Sequence, residues 1–362
     1  MRNLIKKLKI ENFKSIKEVE ITCGRVNIFV GKPNVGKSNI LEALSLYTLL
    51  NSSFVPNEII RFDTVDNFFH YKLLGNSIVI DSEMGRLELK YFDEQEKFAM
   101  VYGNSTRNQF TLSNYSSLDK LIEQIESKRG NDNFPGWIGT LNNYAAKDIR
   151  YKEEHLVLPS IKKYDFHKEK SVENFITKNH ALLSPHGRNL PSILESNGEL
   201  QDEISDFFKD YDLEFVLDRF DKKIEIQRRK ENFVDKIPYH LTADTLQRII
   251  FHYAAIASNK NSVLLFEEPE HHSFPPYIRA LAEKIVESSA NQFFITTHSP
   301  YLFNTLVSEI NEPEGLAVFI TTFKDYETKI KKLAEKELSK ILNYGVDVFF
   351  NLEHFQNECF SK

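Results

Sequence analysis

The chain has 362 residues, of which 41% are hydrophobic and 27% charged, and its formal net charge at pH 7 is −6. This length suits one large domain with an insertion or two domains, and the negative charge excludes a general electrostatic attraction to nucleic acid. The two cysteines, Cys23 and Cys359, cannot form a disulfide framework, and the charged N-terminus lacks a signal-peptide pattern. Because no apolar run is long enough to cross a bilayer, the sequence predicts a cytoplasmic protein with no membrane partner.

The first hundred residues are predicted to form strands around one helix. The segments LKIENF, KEVEIT and RVNIFV alternate apolar and polar residues, which is typical of strands. A helix is predicted from about residue 37 to residue 50. The segment SIVIDSEMGRLELKYF is predicted to be a hairpin that turns at residues 84–86.

The middle of the chain is more polar and is predicted to be a mostly helical insertion within one fold. Its helical segments are LDKLIEQIES, KSVENFITKNHALL and LQDEISDFFKDY, and KKIEIQRR is strand-like. From about residue 241, helices alternate with the apolar strands SVLLF, QFFITT and GLAVFITTF. This alternation is typical of a parallel sheet that is covered by helices on both faces.

The segment GKPNVGKS, residues 31–38, fits the phosphate-loop pattern G-x-x-x-x-G-K-[ST] in full, between a predicted strand and a predicted helix. Gly31 and Gly36 let the backbone curl so that its amides point at phosphate oxygens, and the helix start adds its positive dipole end. Lys37 would reach the β- and γ-phosphates, and Ser38 would ligate magnesium. We therefore predict a site for ATP and Mg²⁺ that is formed by Gly31, Asn34, Val35, Gly36, Lys37, Ser38 and Asn39.

The segment VLLFEEPEHH places carboxylates at the end of a buried strand, where ligands bind in open α/β sheets. We assign Glu267 to the Mg²⁺ shell and Glu268 as the general base that polarises the attacking water. Two other interpretations are a metal cluster of Glu267, Glu270, His271 and His272, and a solvated turn. Adjacent histidines usually point apart, and helical H-x-x-x-H spacing is missing, which disfavours the cluster.

The segment TTHSP places His298 at the end of the next apolar strand. A single histidine is more often structural than catalytic. This one is predicted to lie on the same carboxyl edge as the glutamates, where it would sense or bind the γ-phosphate.

The segments LKIENFKSIKEVEI, GKPNVGKSNILEAL, LLFEEPEHH and FFITTHSP together resemble an ABC/SMC-type ATPase head, and more narrowly the OLD-like (AAA15/AAA21) ATPases of bacterial antiphage defence. The resemblance covers residues 4 to about 302. It implies an α/β P-loop NTPase of ABC-ATPase type, with a mixed or parallel sheet, flanking helices, an N-terminal antiparallel β subdomain and a mostly helical insertion. Together with the predicted elements, it divides the chain into residues 1–109 and 236–325 for the head, 110–235 for the insertion and 326–362 for a helical tail.

The resemblance also implies a role. The chain would be an ATPase that assembles as a head-to-tail homodimer or higher homo-oligomer and controls a separate effector, such as a nuclease or toxin. The alternatives are a RecF- or SMC-like DNA-repair ATPase and an ATP-binding scaffold with little turnover. Many OLD-like proteins continue into a TOPRIM nuclease domain, but the residues after His298 contain no D-x-D pair, so we expect no nuclease in this chain.

One segment departs from the family pattern. ABC-type heads carry a serine- and glycine-containing signature loop that caps the γ-phosphate of the opposing subunit. In LTADTLQR, Thr242 replaces the serine and Asp244 stands in place of the glycine. Asp244 would repel a γ-phosphate and slow hydrolysis, unless Thr242 or Asp244 instead caps the following helix, which we favour.

Basic residues cluster in KKIEIQRRK, residues 222–230, and in KIKKLAEK, residues 329–336. Such clusters usually serve solubility on an exposed face. Contact with nucleic acid is the alternative, although the net charge of the chain argues against it.

Overall fold

A computed structural model describes residues 4–51, 56–103, 112–127, 136–142, 147–152, 156–168, 180–218, 220, 223–310 and 314–357. The chain forms two compact units. The first unit comprises Met1–Ile161 and Glu312–Lys362, and the second comprises Lys162–Asn311. The boundaries predicted at residues 109, 235 and 325 stay predictions.

The described residues form sixteen strands and nine helices. The strands are β1 (Lys7–Phe13), β2 (Ile16–Thr22), β3 (Val26–Val30), β4 (Ile78–Ser82), β5 (Gly85–Phe92), β6 (Lys97–Gly103), β7 (Trp137–Leu141), β8 (Lys147–Lys152), β9 (Ile161–Tyr164), β10 (Glu214–Asp218), β11 (Lys223–Lys230), β12 (Phe233–Pro238), β13 (Val263–Glu267), β14 (Gln292–Thr296), β15 (Leu316–Lys324) and β16 (Glu327–Lys332). The helices are α1 (Lys37–Ser45), α2 (Leu118–Ser127), α3 (Leu190–Ser196), α4 (Gly198–Lys209), α5 (Asp244–Ser258), α6 (Pro275–Glu287), α7 (Pro300–Glu309), α8 (Glu335–Tyr344) and α9 (Leu352–Asn357).

The first unit contains a seven-stranded antiparallel sheet in the order β2-β1-β4-β5-β6-β7-β8. Strands β1 and β2 alternate as predicted. In β1, for example, Leu8 and Ile10 are fully buried whereas Lys7 is exposed. The hairpin of β4 and β5 is confirmed, but its turn lies at Glu83 and Met84 and not at residues 84–86, because Ser82 pairs with Gly85.

The phosphate-loop strand β3 also lies in the first unit, where it pairs with β15 in parallel. Strand β15 in turn pairs with β16 in antiparallel register. The predicted helical tail therefore begins with a strand, and its helices start only at Glu335. All five residues of β3 are buried, so the strand shows little of the alternation expected from RVNIFV. Helix α1 follows the loop and ends at Ser45, earlier than predicted, because residues 46–50 tighten into a 3₁₀ turn.

The second unit carries β13 between β14 and β9, and β13 runs parallel to β14. Helices α5, α6 and α7 alternate with these strands along the chain, as the sequence predicts. Four residues of β13, Val263 to Phe266, are fully buried, which accounts for its unbroken apolar run. A separate antiparallel sheet in this unit has the order β10-β11-β12.

The described residues between 110 and 235 form helices α2, α3 and α4 but also strands β7 to β11. This segment therefore has more β-structure than the sequence predicts. Strand β7 gives no alternating signal because all five of its residues are buried. Most of the predicted helix KSVENFITKNHALL lies outside the described residues. None of the helices in the described part of the chain has the length and apolar character needed to cross a membrane.

Candidate functional site

The phosphate loop connects β3 to α1 through a backbone that requires glycine at two positions. Gly36 has φ of 94°, in the left-handed region, and Asn34 has φ of 60°. A Cβ atom on Gly36 would lie 2.1 Å from Thr328 Oγ1, and one on Gly31 would lie 2.3 Å from the carbonyl oxygen of Thr321. Both glycines of the motif are therefore needed for close packing against the β15–β16 hairpin.

A chain of hydrogen bonds holds the loop from outside. The Thr328 hydroxyl donates to the carbonyl oxygen of Val35 over 2.9 Å. Because a hydroxyl has one proton, the Ser15 hydroxyl is then the donor in its 2.6 Å contact with Thr328 Oγ1. Ser15 Oγ also accepts from the Asn39 side-chain amide over 2.7 Å. Ser15 and Thr328 were not identified from the sequence, because both are distant from the phosphate loop in the chain and no local pattern links them to it.

Lys37 is only 6% exposed and lies against the loop. Its ammonium group donates to the carbonyl oxygens of Gly31 at 3.1 Å and Lys32 at 3.0 Å. These are neutral acceptors, so they orient the ammonium group without cancelling its charge. Val35 is buried, Ser38 and Asn39 are half-buried and Asn34 is exposed.

The acidic strand end belongs to the second unit. Glu267 is the last residue of β13 and lies opposite Thr296 of β14. Its Oε2 atom is 2.9 Å from the ammonium nitrogen of Lys163, a residue of β9 that is 5% exposed. Lys163 was not identified from the sequence. The only signal available was a pair of lysines between Ile161 and Tyr164.

Glu268 and His298 lie close together in the second unit, as expected from their predicted positions at the same carboxyl edge of the sheet. Glu268 has φ of 44°, and its amide donates to the carbonyl oxygen of Thr296 over 3.0 Å. Its Oε1 atom lies 3.4 Å from His298 Nε2, and its Oε2 atom lies 4.0 Å from His271 Nδ1. Both side chains of the Glu268–His298 pair remain more than one-third exposed, at 39% and 36%. The pair is therefore accessible to a ligand.

Glu270 fixes the backbone that carries His298. Its Oε1 atom accepts hydrogen bonds from the Thr297 hydroxyl at 2.6 Å and from the amides of His298 at 2.8 Å and Ser299 at 3.1 Å. Its Oε2 atom is buried and has no hydrogen-bond partner among the residues that the structure describes. Burial raises the pKa of Glu270 against the opposing effect of its hydrogen bonds, of which that from Thr297 is the largest.

The metal-cluster interpretation finds no support within the described ranges, where no group of three or more His, Cys, Asp or Glu residues could hold a metal ion. One reason given against it was wrong, because the rings of His271 and His272 lie close together, with centroids 4.0 Å apart. The segment instead forms a turn, in which the His271 amide donates to the Glu268 carbonyl oxygen over 3.0 Å.

Thr242 and Asp244 lie at the start of α5, but neither side chain caps the helix. The favoured cap was wrong, because the N-cap residue is Ala243 and it has no side-chain hydrogen bond. The Thr242 hydroxyl donates to the carbonyl oxygen of Tyr239 over 2.7 Å. Asp244 is the first helical residue, and its Oδ2 atom accepts from Arg248 Nε over 2.7 Å. Its negative charge is thus partly neutralised within its own helix.

The residues assigned to magnesium fit that ion by donor chemistry. The Ser38 hydroxyl and the Glu267 carboxylate both supply oxygen, which Mg²⁺ prefers. The Lys163 ammonium already contacts this carboxylate, so an ion bound there would share it with a cation. The loop residues belong to the first unit, and Glu267, Glu268, His298, Thr242 and Asp244 belong to the second.

Comparisons with known proteins identify a family and several relatives. The family model AAA_21, described as "AAA domain, putative AbiEii toxin, Type IV TA system", matches residues 26–304. An "ATP/GTP phosphatase" of Helicobacter pylori is 22% identical over 353 residues, covering 86% of this chain and 90% of the relative. A "DNA replication and repair protein RecF" of Leptospira biflexa is 32% identical over 155 residues, covering 40% of this chain and 41% of the relative. Among solved structures, the chain is similar to an Smc head bound to the "C-winged helix domain of ScpA". The alignment covers 93% of this chain and 99% of the Smc head, with 14% identity and a TM-score of 0.49.

Proposed function

Because the chain belongs to the AAA_21 family, whose model matches residues 26–304, we propose that it is an ATPase that binds ATP with Mg²⁺ and hydrolyses it to ADP and phosphate. The observation that carries this proposal is the contact between Glu268 and His298, whose nearest atoms are 3.4 Å apart. A carboxylate and an imidazole in contact, both accessible, can move a proton and hold an anion.

In the first unit, the phosphate loop binds the triphosphate. Its backbone amides and the start of α1 offer hydrogen-bond donors and a positive dipole end to phosphate oxygens. Lys37, which is now held by two carbonyl oxygens, donates to the β- and γ-phosphates. Ser38 and Glu267 would each supply an oxygen ligand to Mg²⁺, and a bound Mg²⁺ would neutralise negative charge on the phosphates.

In the second unit, Glu268 acts as the general base. Its carboxylate takes a proton from the attacking water as the water oxygen bonds to the γ-phosphorus and the bond to the bridging oxygen of ADP breaks. His298, with its proton on Nε2, holds Glu268 by donating to Oε1 or donates to a γ-phosphate oxygen. Glu270 keeps His298 in place through the backbone amides of residues 298 and 299.

We further propose that this ATPase is the regulatory subunit of a bacterial antiphage defence system and that it controls a separate nuclease or toxin. The family description names a putative AbiEii toxin and a toxin–antitoxin system, which supports a role in defence. A homodimer or higher homo-oligomer is part of this proposal. The identity of the gene beside the coding sequence tests the role, because a nuclease or toxin gene supports it and a recombination gene contradicts it.

Phosphate release by the purified full-length protein tests the ATPase proposal. We expect turnover that depends on ATP and Mg²⁺ and that is lost in the Glu268→Gln variant while ATP binding is retained. ATP binding without turnover, alone and together with the product of the neighbouring gene, would contradict hydrolysis and favour an ATP-binding scaffold.

A further inference from the structure

The two basic clusters of the sequence have different environments in the structure. In the C-terminal cluster, Lys329 pairs with Glu327 at 2.6 Å and Lys331 pairs with Glu337 at 2.7 Å. Lys332 donates to the carbonyl oxygen of Thr22 over 3.2 Å. Two of these cations are thus paired with carboxylates of the first unit, whereas Lys332 contacts only a neutral carbonyl oxygen and Lys336 is exposed. The positive charge of the C-terminal cluster is therefore partly neutralised by its own carboxylates.

The central cluster lies on the hairpin of β11 and β12. Strand β10 pairs with β11 only as far as Gln227, which lies opposite Glu214. Beyond that point β11 pairs with β12 alone, with Arg228 opposite Asp235 and Lys230 opposite Phe233. Residues 228–235 therefore form a two-stranded β-ribbon that extends past the end of the three-stranded sheet. Every residue of this ribbon is exposed.

The cations of the ribbon are largely unpaired. Arg228 and Lys230 make no ion pair with any residue that the structure describes. Arg229 approaches Glu214 only to 3.9 Å, and both side chains are more than half exposed, so this pair contributes little. The ribbon also carries Glu231 and Asp235, so its three cations outnumber its carboxylates.

The ribbon also exposes apolar surface beside these cations. Phe233 is 72% exposed and Val234 is 44% exposed. Phe233 lies directly across from Lys230 in the register of the hairpin. The ribbon therefore presents an aromatic ring and an apolar side chain next to its cations.

We propose that the ribbon of residues 228–235 binds duplex DNA in the major groove. The major groove of B-form DNA admits a two-stranded β-ribbon, whereas the major groove of A-form RNA is too narrow for side chains to read. Arg228, Arg229 and Lys230 contact phosphates and guanine edges, to which arginine and lysine donate. Phe233 packs against the methyl group of thymine.

The carboxylates of the ribbon favour DNA over an anionic lipid surface. In the major groove, Asp or Glu can accept a hydrogen bond from the amino group of cytosine. A bilayer of anionic lipids offers no such donor, so Glu231 and Asp235 would only be repelled there.

Fluorescence anisotropy of the full-length protein with a labelled duplex of ~20 base pairs tests this proposal, in the absence of nucleotide. The compared variant carries Arg228→Gln, Arg229→Gln and Lys230→Gln. We expect its affinity to fall at least tenfold at about 50 mM salt. The slope of log affinity against log salt concentration should decrease in magnitude by about 0.9 for each of the three cations that contacts a phosphate. The matched control carries Lys17→Gln, Lys120→Gln and Lys336→Gln, which removes the same charge at exposed positions elsewhere.

The control should bind DNA nearly as the wild type does. Equal losses in both triple variants would overturn the proposal, because they would show a response to net charge alone. Phe233→Ala, with the wild-type unfolding midpoint, should weaken binding without changing the salt slope. Tighter binding to duplex RNA or to phosphatidylserine vesicles than to DNA would also overturn it. Since nucleotide is absent, none of these results depends on the proposed ATPase activity.

Discussion

The Nε2 atom of His298 lies 3.4 Å from the Oε1 atom of Glu268. Glu268 directly follows β13, and His298 lies two residues after β14, which pairs with β13 in parallel. The contact exists because β13 and β14 are in register, so that the segments after them leave the sheet at the same edge. Glu268 is turned toward that edge by a backbone with φ of 44°. The two side chains therefore form a contacting pair, and a change in one alters the hydrogen bonding of the other.

Replacing Glu268 by Gln should lower the rate of phosphate release by roughly 10²–10⁴-fold, the usual contribution of a general base. The amide keeps the shape of the side chain but cannot accept the proton of water. ATP affinity, measured with a fluorescent analogue, should stay within about threefold of the wild type. Glu309→Gln, at an exposed position of the same unit, is the control and should leave the rate unchanged. A normal rate in Glu268→Gln would remove this residue from the mechanism.

The stability of the protein should depend on pH through Glu270. Burial raises the pKa of this carboxyl above its ordinary value of 4.5, so the folded state binds its proton more tightly than the unfolded state does. Its contribution to the free energy of unfolding is therefore greatest below pH 4.5 and declines as pH rises through the folded-state pKa. Urea unfolding of the wild type and of Glu270→Gln, at pH values from below 4.5 upward, measures this effect. The free energy of unfolding of the wild type should fall relative to that of Glu270→Gln as pH rises. A difference that is constant with pH would contradict the raised pKa.

Replacing Thr328 by Val should weaken ATP binding roughly tenfold, because it removes the donor to the Val35 carbonyl oxygen and the acceptor for Ser15. The volume of the side chain is nearly preserved, so the effect should fall on the phosphate loop and not on the core. Thr328→Ser keeps the hydroxyl and is the matched control. Isothermal titration with ATP measures both variants. Equal affinities for Val and Ser would show that the hydroxyl does not hold the loop.

Replacing Asp244 by Ala should lower the free energy of unfolding by about 0.5–1 kcal/mol, because the variant loses the pair with Arg248 and a negative charge at a helix N-terminus. The rate of phosphate release should stay unchanged, since Asp244 is engaged by Arg248 at 2.7 Å. A marked increase in that rate would instead show that Asp244 repels the γ-phosphate. Thermal unfolding and phosphate release on the same preparation distinguish the two outcomes.

The sequence predicted those parts of the fold and site that local patterns determine. Gly31 and Gly36 follow from the need for a curled backbone, and the buried run of β13 follows from its unbroken apolar residues. The contact of Glu268 with His298 was predictable because parallel strands end at one edge. Lys163 was not, because its ion pair with Glu267 depends on which strand borders β13, and no local pattern determines strand order.

The helix cap shows a different limit of sequence analysis. Thr242 and Asp244 both have side chains that favour a cap, yet the N-cap position lies between them, at Ala243, and the helix begins at Asp244. A shift of one residue is enough to exchange a cap for an intrahelical ion pair. The choice depends on tertiary partners, here the Tyr239 carbonyl oxygen for Thr242 and Arg248 for Asp244.

The hydrogen-bond chain from Asn39 through Ser15 and Thr328 to Val35 has a consequence for synthesis of the protein. The ribosome makes the glycine-rich motif early, but the hydroxyl that fixes it arrives only after β15 has been translated. A nascent chain that stops before residue 328 therefore carries the complete motif without its support. The protein should acquire affinity for nucleotide late in translation, so truncated products would not compete with finished molecules for ATP.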